Sequence, residues 1–123
     1  MIDYNEEIYD ELFLALEEDQ SSFQWLMKNG YKELGAFVLA LKKRAEALTW
    51  LNENGYSELA LVVLGVQRET EAFKTLTYQK DKNLACLVGA AHNDSNCIKY
   101  LKQQNLELLV ELGFVINRLG LNQ

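Results

Sequence analysis

The pattern of hydrophobic and polar positions repeats along this chain with a period of 25 residues and without gaps. One block, FQWL at residues 23–26, recurs as LTWL at 48–51, FKTL at 73–76 and IKYL at 98–101. A second block, LAL at residues 14–16, recurs as LAL at 39–41, LGV at 64–66, GAA at 89–91 and FVI at 114–116. A fixed period between 20 and 50 residues is typical of stacked-repeat proteins.

Each repeat contains two helical patterns of different character. The first, as in residues 47–54, is apolar on one face only, whereas the second, as in residues 59–68, is apolar around most of its circumference and is expected to be buried. Helices this short are marginal in water, so we expect the stack to stabilise them. We predict an N-terminal helix near residues 5–18 and four helical hairpins, pairing 21–29 with 32–43, 46–54 with 57–68, 71–79 with 82–92, and 96–104 with 107–118.

The predicted fold class is all-α, a right-handed αα-superhelix. It is a short solenoid of four helix pairs plus an N-terminal capping helix, forming a single domain over residues 1–123, with repeats near 21–43, 46–68, 71–92 and 96–118. The competing fold is a compact helical bundle, which has no reason to keep a gapless 25-residue spacing.

The ends of the outer-type helices carry a recognisable stop signal. Gly30 and Gly55 follow such helices, and glycine suits the left-handed residue that closes a helix. The tyrosine after each glycine is expected to pack on the side chain five positions earlier. Asn105 can take the same left-handed conformation, whereas Lys80 fits it poorly, so the third turn is expected to be built differently.

The chain resembles the helical-repeat class that includes tetratricopeptide, ankyrin and HEAT repeats. Its unit is shorter than theirs and lacks their signatures. It is most similar to short-unit bacterial repeats with the motif Trp-Leu-x-x-Asn-Gly-Tyr-x-Glu-Leu-Ala, which stands here at residues 25–35 and, most completely, at 50–60. The resemblance covers the whole chain and implies an architecture and partner binding, and it implies no chemistry.

Charge is unevenly distributed along the chain. The net charge is −6, and the first 19 residues hold eight acidic residues and no basic one. A nucleic-acid-binding protein would show the opposite bias, so we expect no nucleic-acid partner. No apolar run is long enough for a membrane span and no secretory pattern opens the chain. We therefore expect a cytoplasmic protein in which Cys86 and Cys97 are reduced, mostly buried thiols. The alternative is a periplasmic chain whose signal has been removed.

The sequence offers little material for catalysis. Its one histidine, His92, could be half of a metal site, but we expect it to end a helix, with Asp94 or Ser95 capping the next one. No nucleophile elbow, phosphate-binding glycine loop or zinc motif is present. We therefore predict neither an enzyme nor a bound cofactor or metal.

Three sets of residues are candidates for partner binding. The outer-helix aromatics Trp25, Trp50 and Tyr100 are either groove anchors or part of the core. A basic rim is formed by Lys42, Lys43, Arg44, Arg68 and Arg118. It either compensates helix dipoles or accepts an acidic peptide. The acidic N-terminal helix either provides the polar outer face that a terminal repeat needs for solubility or binds a basic partner.

The C-terminal helix completes the candidates because no further repeat follows it. Val110 and Phe114 make it apolar, which indicates burial against a second copy in a homodimer or against the chain's own tail. We therefore predict a protein–protein interaction scaffold that binds a protein or peptide through its concave face or its apolar C-terminal end. The alternative is an enzyme or small-ligand-binding domain with a polar site near the irregular third repeat.

Overall fold

The computed structural model describes residues 4–79 and 81–123, and within them the chain forms nine α-helices and no strand. The helices are α1 (Glu6–Leu16), α2 (Gln20–Lys28), α3 (Lys32–Leu41), α4 (Ala45–Glu53), α5 (Ser57–Val66), α6 (Thr70–Tyr78), α7 (Lys82–Ala91), α8 (Ser95–Gln103) and α9 (Glu107–Arg118). These bounds lie within two residues of those that the 25-residue period predicts. None of these helices is long and apolar enough to cross a membrane.

The predicted stop signal closes α2 and α4. Gly30 has φ +90° and Gly55 has φ +86°, and the N–H of each following tyrosine donates to a carbonyl five residues earlier. Such a bond satisfies a carbonyl that the helix itself leaves unpaired. Asn105 is left-handed at φ 60°, as predicted. The prediction for Lys80 lies outside the described residues.

The helices α1, α3, α5 and α7 end with the same kind of hydrogen bond, but their left-handed residue is not glycine. The four residues in question are Glu18, Lys43, Arg68 and Asn93, with φ between 62° and 72°. The following helix begins two residues after each of them. Asp94 caps α8, as predicted, by accepting from the N–H groups of Asn96 and Cys97. Each hairpin therefore turns into the next within three residues.

The five odd-numbered helices form a closed ring. These inner helices α1, α3, α5, α7 and α9 pack side by side in chain order, and α9 also packs against α1. The outer helices α2, α4, α6 and α8 each pack against the inner helix before them and the one after them. Within the described part of the chain, no outer helix packs against another. The fold is thus an inner ring of five helices with four helices around it.

The interior of the ring is filled by side chains at three levels. Because an α-helix has 3.6 residues per turn, positions spaced by three and four residues lie on one face. The first level consists of Tyr9, Leu34, Leu59, Leu84 and Leu109. The middle level consists of Leu12, Phe37, Val62, Leu87 and Leu112. The last level consists of Leu16, Leu41, Val66, Ala91 and Ile116. All of these side chains are buried, so the inner surface of the repeat is a packed core.

Small residues set how closely the inner helices approach. A Cβ added to Gly65 would meet both methyl groups of Val88 at 3.1 Å, and one added to Gly113 would lie 2.7 Å from the Cβ of Ala90. The C-terminal ends of the inner helices are also linked by side chains. Gln67 donates to the Ala40 carbonyl at 3.1 Å. This bond joins the C-terminal ends of α3 and α5, which shows that these two inner helices run parallel.

Ring closure changes two expectations that assumed an open stack. The predicted concave face is not an open surface, because the side chains of five helices meet in the middle of the ring. The C-terminal helix does not form the free end of a stack either, because α9 lies between α7 and α1. An ion pair of 2.9 Å between Arg118 and Glu17 joins the two ends of the chain.

Candidate functional site

A concave surface lies on the outside of the ring, between α2 and α4. We call it the α2–α4 groove, and its volume is about 440 Å³. Its lining residues are Met27, Lys32, Ala36, Leu39, Arg44, Glu46, Ala47 and Trp50. Because the outer helices do not touch one another, the groove is open to solvent along the surface of α3.

The groove owes its depth to two alanines. Ala36 on α3 and Ala47 on α4 are buried and both line the groove. One repeat later, the position equivalent to Ala36 is Leu61, which has a longer side chain. The sequence period makes the two positions equivalent, and the groove lies beside the smaller side chain.

Trp50 is held in place by the same motif that ends α4. The Asn54 side-chain amide donates to the Trp50 carbonyl at 2.8 Å. The Tyr56 ring stacks on the Trp50 ring, with centroids 5.9 Å apart and an interplanar angle of 7°. Trp25 and Tyr31 repeat this stack one unit earlier, at 6.0 Å and 8°. The tyrosine of each Asn-Gly-Tyr triplet thus orients a tryptophan as well as ending a helix.

A second concave surface continues from the α2–α4 groove toward the loops that precede α3 and α5. Its volume is about 450 Å³. Met27, Lys32 and Trp50 line both surfaces, and Asn54 and Tyr56 line the second one. One face of Trp50 is therefore available to a chain that runs along α2 and α4, while the other side of the residue is supported by Tyr56.

The charges around the α2–α4 groove are mixed and partly basic. Lys32 begins α3, and Arg44 is the N-cap residue of α4, where its side chain makes no capping hydrogen bond. Glu46 is the one acidic residue among those that line the groove. An apolar floor with two cations and one anion at its edge suits a peptide with a bulky apolar side chain and an acidic neighbour.

The other aromatic and apolar residues predicted to bind a partner differ in how exposed they are. Trp25 and Tyr100 are half-buried, and the ammonium of Lys82 lies 4.4 Å from the centre of the Tyr100 ring. Val110, a predicted partner-binding residue, is only 4% exposed and belongs to the core. Phe114 is 44% exposed, as an accessible candidate should be.

The basic rim is split up by its local contacts. The Nζ of Lys42 lies 3.4 Å from the Oε1 of Glu18, and Arg118 forms an ion pair with Glu17. Lys43 and Arg68 are exposed and occupy left-handed positions at the ends of α3 and α5. Cations at the ends of parallel inner helices oppose the negative ends of the helix dipoles, so the rim already has a structural role.

The opposite end of the ring contains a buried carboxylate that the sequence did not indicate. Glu33 is buried, and its Oε2 accepts a hydrogen bond of 2.9 Å from the Tyr4 hydroxyl. Burial raises the pKa of Tyr4, and so do the hydrogen bond to Glu33 and the negative charge of that residue. Tyr4 also makes edge-on contacts with the rings of Tyr9 and Tyr31. This cluster fixes the start of α1 against α3.

Two carboxyl groups meet at the irregular third repeat. A side-chain hydrogen bond with Asp81 raises the pKa of Glu58, and burial and the negative charge of Asp81 raise it further. Asp81 also caps α7 by accepting from the Leu84 N–H at 3.2 Å. None of the concave surfaces described above is lined by Glu58 or Asp81.

Replacing Glu58 by glutamine is expected to stabilise the protein at pH 7 and to have no such effect at pH 4. The raised pKa means that the hydrogen bond of Glu58 contributes stability below its ordinary pKa of 4.5 and that this contribution is lost as pH rises through the raised value. A glutamine amide can donate to Asp81 at either pH. We expect a gain of up to about 0.5 kcal/mol, small because both groups remain in contact with water.

Urea unfolding at both pH values measures this effect. Glu53→Gln, at the exposed end of α4, is the matched control and should behave alike at pH 4 and pH 7. A Glu58→Gln variant with the same stability change at both pH values would contradict the pairing.

The remaining candidates for chemistry have structural partners. Cys86 and Cys97 are free thiols, the first buried and the second half-buried. Burial and a hydrogen bond to Cys86 raise the pKa of Cys97 to about 12, which makes it a poor nucleophile.

His92 is the C-cap residue of α7, as predicted, and its Nε2 lies 3.2 Å from the Gly65 carbonyl. In the described residues, no three His, Cys, Asp or Glu side chains are arranged to hold a metal ion.

The comparisons with known proteins give no match. No family model, curated protein or solved structure is similar to this chain. The resemblance to short-unit helical repeats therefore depends on the motif in the sequence, and the functional argument depends on the surfaces described above.

Proposed function

We propose that this chain is a non-catalytic interaction module, a helical-repeat scaffold that binds a short peptide segment of a partner protein in the α2–α4 groove. The observation that carries the proposal is the groove itself, with Trp50 in its wall and Ala36 and Ala47 in its floor. Tryptophan is a common anchor in protein interfaces, because it offers a large rigid surface at a small cost in conformational entropy. The groove has the size of a site for one bulky side chain and its neighbours.

The charges indicate the chemistry of the peptide. Lys32 and Arg44 lie on the edge of the groove, so an acidic residue of the peptide next to its apolar anchor would be favoured. Such contacts at a wet edge mainly improve specificity and the rate of association. The proposed ligand is therefore a short segment with an aromatic or aliphatic anchor and a carboxylate close to it.

Filling the groove tests the proposal. In Ala36→Leu the new side chain reproduces Leu61 of the next repeat, so the fold should tolerate it. Peptides are first selected from a random 12-residue library on the immobilised wild-type protein, and their binding is then measured by fluorescence anisotropy. We expect Ala36→Leu to weaken the selected peptides at least about tenfold, since the lost burial of one anchor amounts to about 1.5 kcal/mol or more.

Thr49→Leu is the matched control. Thr49 is exposed on α4 and does not line the groove, so the added apolar surface should leave peptide binding unchanged. Peptides that bind Ala36→Leu as well as they bind the wild type would refute the groove as the binding site. A library that yields no binding peptide would count against the interaction module as a whole.

A further inference from the structure

Four of the five junctions in the inner ring are covered by an outer helix. The junction of α1 with α3 carries α2, and α4, α6 and α8 cover the next three in the same way. Within residues 4–79 and 81–123, no helix covers the junction between α9 and α1. We call this place the open junction, since a fifth outer helix would lie there if the ring were complete.

Two large apolar side chains border the open junction. Leu14 on α1 is 43% exposed and Phe114 on α9 is 44% exposed. The equivalent residues of the intervening repeats, Leu39 and Leu64, are more buried. The sequence period gives all these positions the same orientation, so the missing helix explains why Leu14 is more exposed than its equivalents.

Each inner helix has one position that faces the side of the preceding outer helix. At the open junction this position holds a different kind of residue. In α3 this position is Gly35, where an added Cβ would meet Met27 and Phe23 of α2. The equivalent residues of α5, α7 and α9 are Ala60, Ala85 and Val110, which are all buried. In α1 the position is Asp10, which is exposed. A carboxylate therefore stands where the covered junctions have a small or apolar residue.

The position that faces the following outer helix is small or apolar on α3, α5 and α7, whereas on α1, where α2 covers it, it is the half-buried Glu11. Ala36 on α3 lines the α2–α4 groove with Ala47 of α4, and Cys86 on α7 is hydrogen-bonded to Cys97 of α8. On α9 the equivalent residue is Glu111, which is exposed. Glu7 and Glu107 are further exposed acids on these two helices. Both walls of the open junction are therefore acidic around an apolar strip.

We propose that the open junction docks an amphipathic helix of a basic partner protein, which takes the place of a fifth outer helix. The occupant follows from the fold, because each covered junction shows what fits there: a nine-residue helix whose leucine is inserted between two inner helices. Those leucines are Leu26, Leu51, Leu76 and Leu101, which are all fully buried. The acidic walls require that the residues flanking this leucine in the partner be lysine or arginine.

The outer helices also indicate where the basic residues belong. The residue equivalent to Cys97, four before the leucine, faces the position of Glu111. The residue equivalent to Met27, one after the leucine, faces the position of Asp10. A docking helix therefore carries a basic residue four positions before its buried leucine and another directly after it. This surface is separate from the α2–α4 groove, so the two proposals can fail independently.

The chain supplies its own template for a probe. A synthetic peptide with the sequence of residues 94–106 contains α8 and its flanks, with Leu101 as the buried leucine and Lys102 directly after it. Cys97→Lys in the peptide supplies the second basic residue. The acidic control peptide carries Cys97→Glu and Lys102→Glu. The two peptides have the same length and the same apolar face.

Binding of each peptide to the full chain is measured by fluorescence anisotropy at low salt. We expect the basic peptide to bind one site at least about tenfold more tightly than the acidic peptide, and to weaken as salt is added. The doubly substituted protein Asp10→Lys/Glu111→Lys should reverse this preference. Phe114→Ser should weaken both peptides, because it removes half of the apolar strip.

A second measurement covers the case in which the free peptide is too weakly helical to bind. Each peptide is joined to Gln123 through a flexible linker, and the basic fusion should have the higher Tm of the two. The proposal is overturned if the basic and acidic sequences behave alike in both formats, or if reversing the charges of Asp10 and Glu111 has no effect. It is also overturned if light scattering shows that two copies pair through this face and the basic peptide does not separate them.

Discussion

Phe37→Ala is expected to destabilise the protein by about 3–5 kcal/mol, the largest effect of any single truncation we consider. Phe37 is 1% exposed and lies at the middle level of the ring, where the other four inner helices contribute Leu12, Val62, Leu87 and Leu112. The cavity could close only if inner helices moved inward. Each of them is packed against two inner neighbours, so little of the lost contact can be recovered.

The expected loss is a large fraction of the 5–15 kcal/mol that stabilises a typical domain. We therefore expect the Tm to fall by more than about 10 °C, and urea unfolding followed by circular dichroism at 222 nm measures the change in free energy. Phe73→Ala is the matched control. Phe73 is 39% exposed on α6, so the same truncation should cost less than about 1.5 kcal/mol. Similar losses in both variants would refute the packed interior of the ring.

Gly113→Ala is expected to destabilise the protein by about 1 kcal/mol, even though alanine is the better helix former. The added Cβ would lie 2.7 Å from the Cβ of Ala90 and 3.0 Å from the Ala90 backbone carbonyl carbon. A backbone atom cannot move aside as a side chain can, so α9 would have to shift away from α7. Overpacking of this kind costs about 1–3 kcal/mol, and the gain in helix propensity of about 1 kcal/mol offsets only part of it.

Gly35→Ala is the matched control because it makes the same change in an inner helix against a different neighbour. The atoms nearest to its added Cβ belong to the side chain of Met27, which is flexible and borders the α2–α4 groove. We expect this variant to be as stable as the wild type or up to about 1 kcal/mol more stable. If Gly113→Ala proved as stable as Gly35→Ala, α7 and α9 would not approach each other as closely as described.

Several features of the fold could be predicted from particular residues. The 25-residue period gives the helix bounds to within two residues, because apolar periodicity is a local property of the chain. The left-handed conformations of Gly30 and Asn105 also follow from local sterics. The capping roles of Asp94 and of the Asn-Gly-Tyr triplets are local as well, since they involve groups only two to five residues apart.

The candidate site was predicted only in part. The sequence identified Trp50 as a candidate anchor, but it did not indicate the groove beside it. That groove lies between two outer helices that do not contact each other, and residues of α2, α3 and α4 line it together. Glu33 was missed for a related reason. An acidic residue in the first turn of a helix is usually exposed. Glu33 is buried because Tyr4, 29 positions earlier, lies against it.

The sequence by itself determined that this protein is all-helical, where each helix begins and ends, and which residues are equivalent in successive repeats. Only the tertiary structure decided that the stack closes, that Val110 is buried while Phe114 is not, and that one junction has no outer helix among the described residues. The physical reason is that the curvature of a repeat array is the sum of the rotations between successive repeats, and in a closed ring of five inner helices each rotation is about a fifth of a turn. Each rotation depends on how closely neighbouring helices pack, as at Gly65 with Val88 and at Gly113 with Ala90. A period counted along the chain contains no information about that angle.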